Sequence, residues 1–156
     1  PYTTLFRSYE EAEVPLTTIH LGGDEVPEGA WMGSPVCRTF MDENGMTSAH
    51  ELSEYYITKM ADYLQQHNLQ FSGWQEVALG HPETTDRHLN QLAAGVYCWN
   101  TVPEWEADEI PYQIANKGYP VILCNVNNFY LDLAYDAHPD ERGLSWAGYV
   151  DESKGF

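Results

Sequence analysis

Apolar residues in this chain gather in short runs that alternate with stretches of helical spacing. Leu16 to Leu21 is a short apolar, β-branched run that stops at Gly22-Gly23, and it reads as a strand. A long loop punctuated by Pro27, Gly29, Gly33 and Pro35 is expected after it. Ser48-Ala-His-Glu51 has the form of a capping box, in which the Ser hydroxyl and the Glu carboxylate each satisfy a backbone N–H. Behind it Leu52, Tyr55, Tyr56, Met60, Tyr63 and Leu64 recur at helical spacing, which predicts a helix from about Ser48 to His67. Phe71 to Val77, Gly95 to Asn100 and Tyr119 to Val126 read as three further strands. Between them fall a loop with a short helix from His81 to Ala93 and a helix from Ile110 to Asn116, stopped by Gly118. From Asn127 onward the pattern is that of a long aromatic loop, with turn signals at His138-Pro139 and Arg142-Gly143.

Strands alternating with helices at this spacing predict an α/β fold built of parallel βα units. At or just past the C-terminal end of each strand stands a polar or aromatic group: Asp24-Glu25, Trp74 with Glu76, Trp99-Asn100, and Tyr130 with Asp132. Sites of (β/α)8 barrels lie at that face. A doubly wound sheet gathers its ligand near one switch point, so four successive strand ends favour about half of a TIM-type barrel.

Length and composition narrow the picture. The 156 residues are the size of one ordinary domain, so residues 1–156 read as one unit. A hydrophobic fraction of 43% allows a core, and 5 Trp and 11 Tyr can fill it or offer flat faces for stacking. The net charge of −17 opposes nucleic-acid binding, which needs a basic footprint, and attraction to anionic membranes. The acids are scattered, as on a self-repelling surface. Cys37, Cys98 and Cys124 form no complete disulfide framework and no CxxC pair, so no zinc site is expected; Cys98 and Cys124 fall in strands, where buried free thiols are usual. No apolar run is long enough to span a bilayer. The chain opens at Pro1 without an initiator Met or a signal-peptide pattern and closes at Phe156 without an evident cap, so it reads as a piece of something longer, of unknown compartment.

The chemistry centres on Asp24-Glu25. Two adjacent carboxylates repel, which favours the protonated form of one of them, and a protonated Glu can act as a general acid. A solvated acidic loop or a cation site is the other reading. His20, four residues earlier, would make a thin ligand set with them; a hydrogen-bonded structural histidine fits better than a metal.

The segment His20-Leu-Gly-Gly-Asp-Glu25-Val-Pro-Glu-Gly-Ala-Trp31 resembles the H-x-G-G-D-E signature of family 20 glycoside hydrolases, the β-N-acetylhexosaminidases. Gly73-Trp74-Gln75-Glu76, Val96-Tyr-Cys-Trp99 and Asn127-Asn-Phe-Tyr130-Leu-Asp132 match further family segments in order. Gly143-Leu-Ser-Trp146-Ala-Gly-Tyr-Val-Asp151 resembles a loop of bacterial members, a setting compatible with a periplasmic or secreted protein. The resemblance implies removal of terminal β-linked GlcNAc or GalNAc from oligosaccharides or glycoconjugates, without metal or cofactor. The substrate's own acetamido oxygen attacks, in place of a protein carboxylate. It implies Glu25 as acid/base, Asp24 as the group that orients the acetamido N–H, and Tyr130 as donor to its carbonyl. Trp74 and Trp99 become pocket walls and Asp132 a ligand for sugar hydroxyls, with His20 and Trp146 as further contacts. Trp146 and Trp105 read equally as outer-subsite rings or loop anchors, Trp31 as a packing anchor, and Glu76 as support for the pocket.

Family members have eight strands, and this chain supplies counterparts of strands four to seven. The Arg of the first strand, the histidine and acid near the third, and the W-x-E of the last have no clear counterpart. Four parallel strands cannot close, so the inner face needs a cover. The rest of a longer chain or a homodimer completing the barrel would supply it. With an incomplete site, a GlcNAc-type binding module with little or no turnover is the alternative function.

Overall fold

The computed structural model describes residues 4–155. Its centre is a four-stranded, all-parallel sheet in the order β1 (Thr18–His20), β2 (Gln70–Trp74), β3 (Ala93–Cys98), β4 (Val121–Leu123). The helices are α1 (Thr4–Glu11), α2 (Glu28–Met32), α3 (Pro35–Asn44), α4 (Ala49–Gln66), α5 (Glu83–Leu89), α6 (Ile110–Asn116) and α7 (Val126–Phe129). Parallel neighbours need a crossover, and α4, α5 and α6 stand in the three crossovers. The expected βα organisation is therefore present; β1, β2 and β4 are shorter than the sequence pattern suggests, and β3 keeps the expected length but lies two residues earlier.

Strand alternation sorts the side chains. Phe71 on β2 and Val96 and Cys98 on β3 are fully buried in one cluster with Ile57, Ala61 and Leu64 of α4, Leu89 of α5 and Ile114 of α6. The alternate positions Ser72, Trp74, Tyr97 and Ile122 share the opposite face, away from the cluster that α4, α5 and α6 form among the described residues. Ile122 there is 37% exposed. No helix among the described residues is long and apolar enough to cross a membrane.

Several boundaries differ from expectation for local reasons. The capping box forms as read: Ser48 Oγ accepts from the Glu51 N–H at 3.3 Å, and Glu51 Oε2 accepts from the Ser48 N–H at 3.0 Å. The loop expected after Gly23 carries α2 and α3. Ser34 caps α3, Pro35 occupies its first turn, and Gly45 ends it in the left-handed region. Those signals were in the sequence but looked like loop punctuation. The second strand ends at Trp74, and Gln75–Ala78 is a 3-10 turn that tucks Val77 into the core. The fourth strand stops at Leu123, because the chain turns into α7, so Cys124 is half-buried rather than a buried strand thiol. Phe156, the end of the expected aromatic loop, lies outside the described residues.

Beneath the sheet's outer layer, one ion-pair network joins α5 and α6. Asp86 is 4% exposed; its Oδ2 lies 2.9 Å from Lys117 Nζ, and its Oδ1 accepts from the Tyr119 hydroxyl at 3.0 Å. Burial, and then the Asp86 charge, push the Tyr119 phenol far above its usual range, so it remains the donor. Removing Asp86 leaves the buried Tyr119 hydroxyl without its acceptor and Lys117 Nζ with the Ala78 carbonyl alone, at 3.1 Å. Asp86→Ala is expected to lower stability by about 3 kcal/mol, measured by urea unfolding with an unchanged m-value; a loss under about 1 kcal/mol would contradict this role.

Candidate active site

The site is built where β1, β2 and β3 end. After His20 the chain turns through Gly22 and Gly23. Gly23 holds φ +104°, and a Cβ there would lie 2.6 Å from Val77 Cγ1, so only glycine lets this turn pass over the core. Glu25 holds φ +48°, a left-handed conformation that costs a non-glycine residue about 1–2 kcal/mol. Such strain persists where the surroundings over-determine the backbone. His20 Nδ1 accepts the Gly22 N–H at 3.1 Å, and its ring stands edge-on to Trp74 (5.4 Å) and Tyr97 (5.1 Å). His20 thus braces the turn and the Trp74 ring and does not itself line the cavity above.

That cavity, of about 200 Å³, is lined by Asp24, Glu25, Trp74, Trp99, Tyr130 and Trp146. Two carboxylates face three indoles and a phenol. Burial, and then the charges of neighbours that include Asp132, Asp24 and Glu25, push the Tyr130 phenol up, which keeps its hydroxyl a donor. Asp132 stands one bond behind the lining, because its Oδ2 accepts from Trp146 Nε1 at 2.9 Å.

The aromatic walls are held by polar clamps. Gln75, 2% exposed, accepts with one Oε1 from the backbone N–H groups of Trp99 (3.1 Å) and Asn100 (3.0 Å). Glu76 Oε1 accepts from Trp99 Nε1 at 3.1 Å. Trp146 is backed by Trp105, whose ring stacks on it at 6.0 Å and 24°, and touched edge-on by Tyr130 at 6.0 Å. Both outer-subsite candidates therefore also anchor the loop. Trp31 packs on Tyr56 of α4, and Asn127 and Asn128 bond Thr101 and the Lys154 carbonyl.

Trp146 comes from far along the chain. A small core of Val102, Val126, Leu133, Ala147 and Val150 holds the loop that carries it. The Leu144 N–H donates to the Asp132 carbonyl (2.7 Å) and the Ala134 N–H to the Leu144 carbonyl (2.8 Å). Gly143 permits this pairing, since a Cβ there would lie 2.6 Å from the Ala134 nitrogen.

In the sequence a Gln between Trp74 and Glu76 carries no signal for this role, which depends on its carbonyl lying under two amides. Gln75→Ala would leave two amides at the foot of the Trp99 wall without an acceptor, at a cost of about 2 kcal/mol. Hydrogen exchange at the Trp99 and Asn100 amides is expected to quicken more than tenfold; unchanged protection would remove Gln75 from this role.

Comparison with known proteins follows the same geometry. The family model "Glycosyl hydrolase family 20, catalytic domain" matches residues 4–156. A β-hexosaminidase of Vibrio furnissii is 32% identical over 138 residues, covering 88% of this chain and 20% of that protein. The human β-hexosaminidase subunit beta is 33% identical over 151 residues, covering 94% of this chain and 23% of the relative. The exo-β-N-acetylglucosaminidase of Vibrio harveyi in complex with N-acetylglucosamine superposes with a TM-score of 0.69 at 28% identity, over 96% of this chain and 22% of that one. The chain spans about a fifth of the length of these relatives. Its parallel βα units are part of the family's barrel, and the chain belongs to glycosyl hydrolase family 20, as a portion of the catalytic domain.

Proposed function

We propose that this chain carries the acid/base half of a β-N-acetylhexosaminidase site, acting on terminal β-linked GlcNAc or GalNAc with retention of configuration. One observation carries the reading: Asp24 and Glu25 share a cavity with Trp74, Trp99, Tyr130 and Trp146. Aromatic walls suit the apolar face of a sugar and its acetamido methyl. With a sugar seated against them they would exclude water, which strengthens every charge inside.

In this mechanism Glu25 gives its proton to the glycosidic oxygen, and the bond from that oxygen to the anomeric carbon breaks. The substrate's acetamido oxygen forms the new bond to that carbon, giving an oxazolinium ion. Asp24 accepts the acetamido N–H and offsets the positive charge. The Tyr130 hydroxyl donates to the acetamido oxygen and aims it at the carbon, and such positioning supplies much of the rate. Glu25, now a carboxylate, takes a proton from water as the water opens the ring. Asp132 fixes Trp146 and offers its remaining oxygen to sugar hydroxyls. His20 contributes through Trp74. This is the role set of residues 1–156, read as one catalytic-domain unit.

An ordinary retaining glycosidase with Glu76 or Asp132 as nucleophile is disfavoured, since neither lines the cavity that holds Asp24 and Glu25. Sugar binding without turnover stays as the second reading, on the specific ground that one face of the sheet is open. A second copy of the chain would cover that face by completing an eight-stranded closure; light scattering at micromolar concentration is expected to show the dimer, and a well-folded monomer would reject it.

Glu25→Gln is expected to reduce release of p-nitrophenol from its β-GlcNAc glycoside at least 100-fold. The glucoside lacking the 2-acetamido group should not turn over. Undiminished turnover by the Gln variant would exclude Glu25 as the acid, and thiazoline binding without any turnover would favour the binding module.

A further inference from the structure

Glu76 lies outside the sugar cavity yet touches its wall. Its Oε1 receives the Trp99 indole N–H, and its Oε2 is buried without a protein partner. The residue also lines a second cavity of about 250 Å³, beside Gly23, Trp31, His50 and Ser53, whose other buried, unpartnered polar atom is Trp31 Nε1. Burial, followed by the charges of Asp24 and Glu25, pushes its carboxyl up from the usual carboxylate range. A carboxyl group placed near two like charges is an unfavourable choice for a filler, and among the described residues the Trp99 indole N–H is the side-chain donor it meets.

We propose that Glu76 is a positioning residue, which fixes the plane of the Trp99 ring through its indole N–H and so shapes the wall against which the acetamido group is held. This rests on the hexosaminidase reading for the ligand, and on the structure alone for the anchoring. An indole can turn about its two side-chain bonds. Gln75 holds only the Trp99 backbone, so the ring itself is fixed by the bond to Glu76 and by its contact with Trp146 (6.5 Å). A ring free to turn would leave the pocket wider and the attacking oxygen less well aimed.

The test uses the full chain labelled with [15N]tryptophan, with Trp99→Phe assigning the Trp99 indole cross-peak. Glu76→Gln keeps an acceptor, and the peak should stay near its wild-type place. Glu76→Leu keeps bulk and removes the acceptor, and the peak should move toward a free indole. The affinity for a GlcNAc-thiazoline should fall about tenfold in Glu76→Leu and little in Glu76→Gln. In the Trp99→Phe background, which has no N–H to hold, Glu76→Leu should cost no further affinity. A folded Glu76→Leu protein with an unmoved Trp99 peak would overturn the proposal, as would an equal loss in both backgrounds. If the wild type fails to bind the thiazoline, the substrate reading fails, while the cross-peak still decides the anchoring.

Discussion

A parallel sheet is stable only where its faces are covered, and here one face carries that whole requirement. Phe71, Val96 and Cys98 disappear beneath α4, α5 and α6, and the side chains between them must then point the other way. Trp74 and Tyr97 face the uncovered side for this reason, with His20 braced against both. Slipping one strand by a residue would exchange the two sets on that strand. The buried face therefore fixes the position of every group at the strand ends, including the pair Asp24 and Glu25.

The strand ends hold their geometry through polar clamps, each of which spans two elements. Gln75 ties β2 to the end of β3, Glu76 ties the same turn to the Trp99 ring, and Asp132 ties the long loop to Trp146. All three acceptors serve N–H groups of the Trp99 and Trp146 regions. A chain with a charge of −17 has acceptors in abundance, and it spends several of them on indole and amide donors. The result is an open cavity whose lining sets two carboxylates and a phenol of raised pKa beside three indole rings.

Much of this was legible in the sequence, for identifiable reasons. The capping box at Ser48 and Glu51, the period of α4 and the four β-rich runs are local patterns, and local patterns survive in the chain. The motif around Asp24-Glu25, with Trp74, Trp99, Tyr130 and Asp132 following in order, was specific enough to name a family. Legibility failed where one residue served two demands. Ser34, Pro35 and Gly45 mark the start and end of α3, yet the same residue types mark loops. Val77 looked like the end of a strand, but its burial beneath Gly23 and Gly73 required the chain to turn at Gln75. Cys124 looked buried because it stood in an apolar run, and β4 ended before it.

The sequence by itself determined the parallel βα organisation and the family, because each rests on residue type at short spacing. The tertiary structure alone decided which of those residues meet. Trp146 joins Asp24 and Glu25 only through a small separate core and the pairing of Leu144 with Asp132 and Ala134, contacts that no spacing rule encodes. His20 meets Trp74 and Tyr97 and the Gly22 N–H, and Glu76 the Trp99 indole, because hydrogen-bond direction and burial depend on where the backbone has already gone. Long-range approach is set by the packing of whole elements, and a side chain's role at a site follows from that packing.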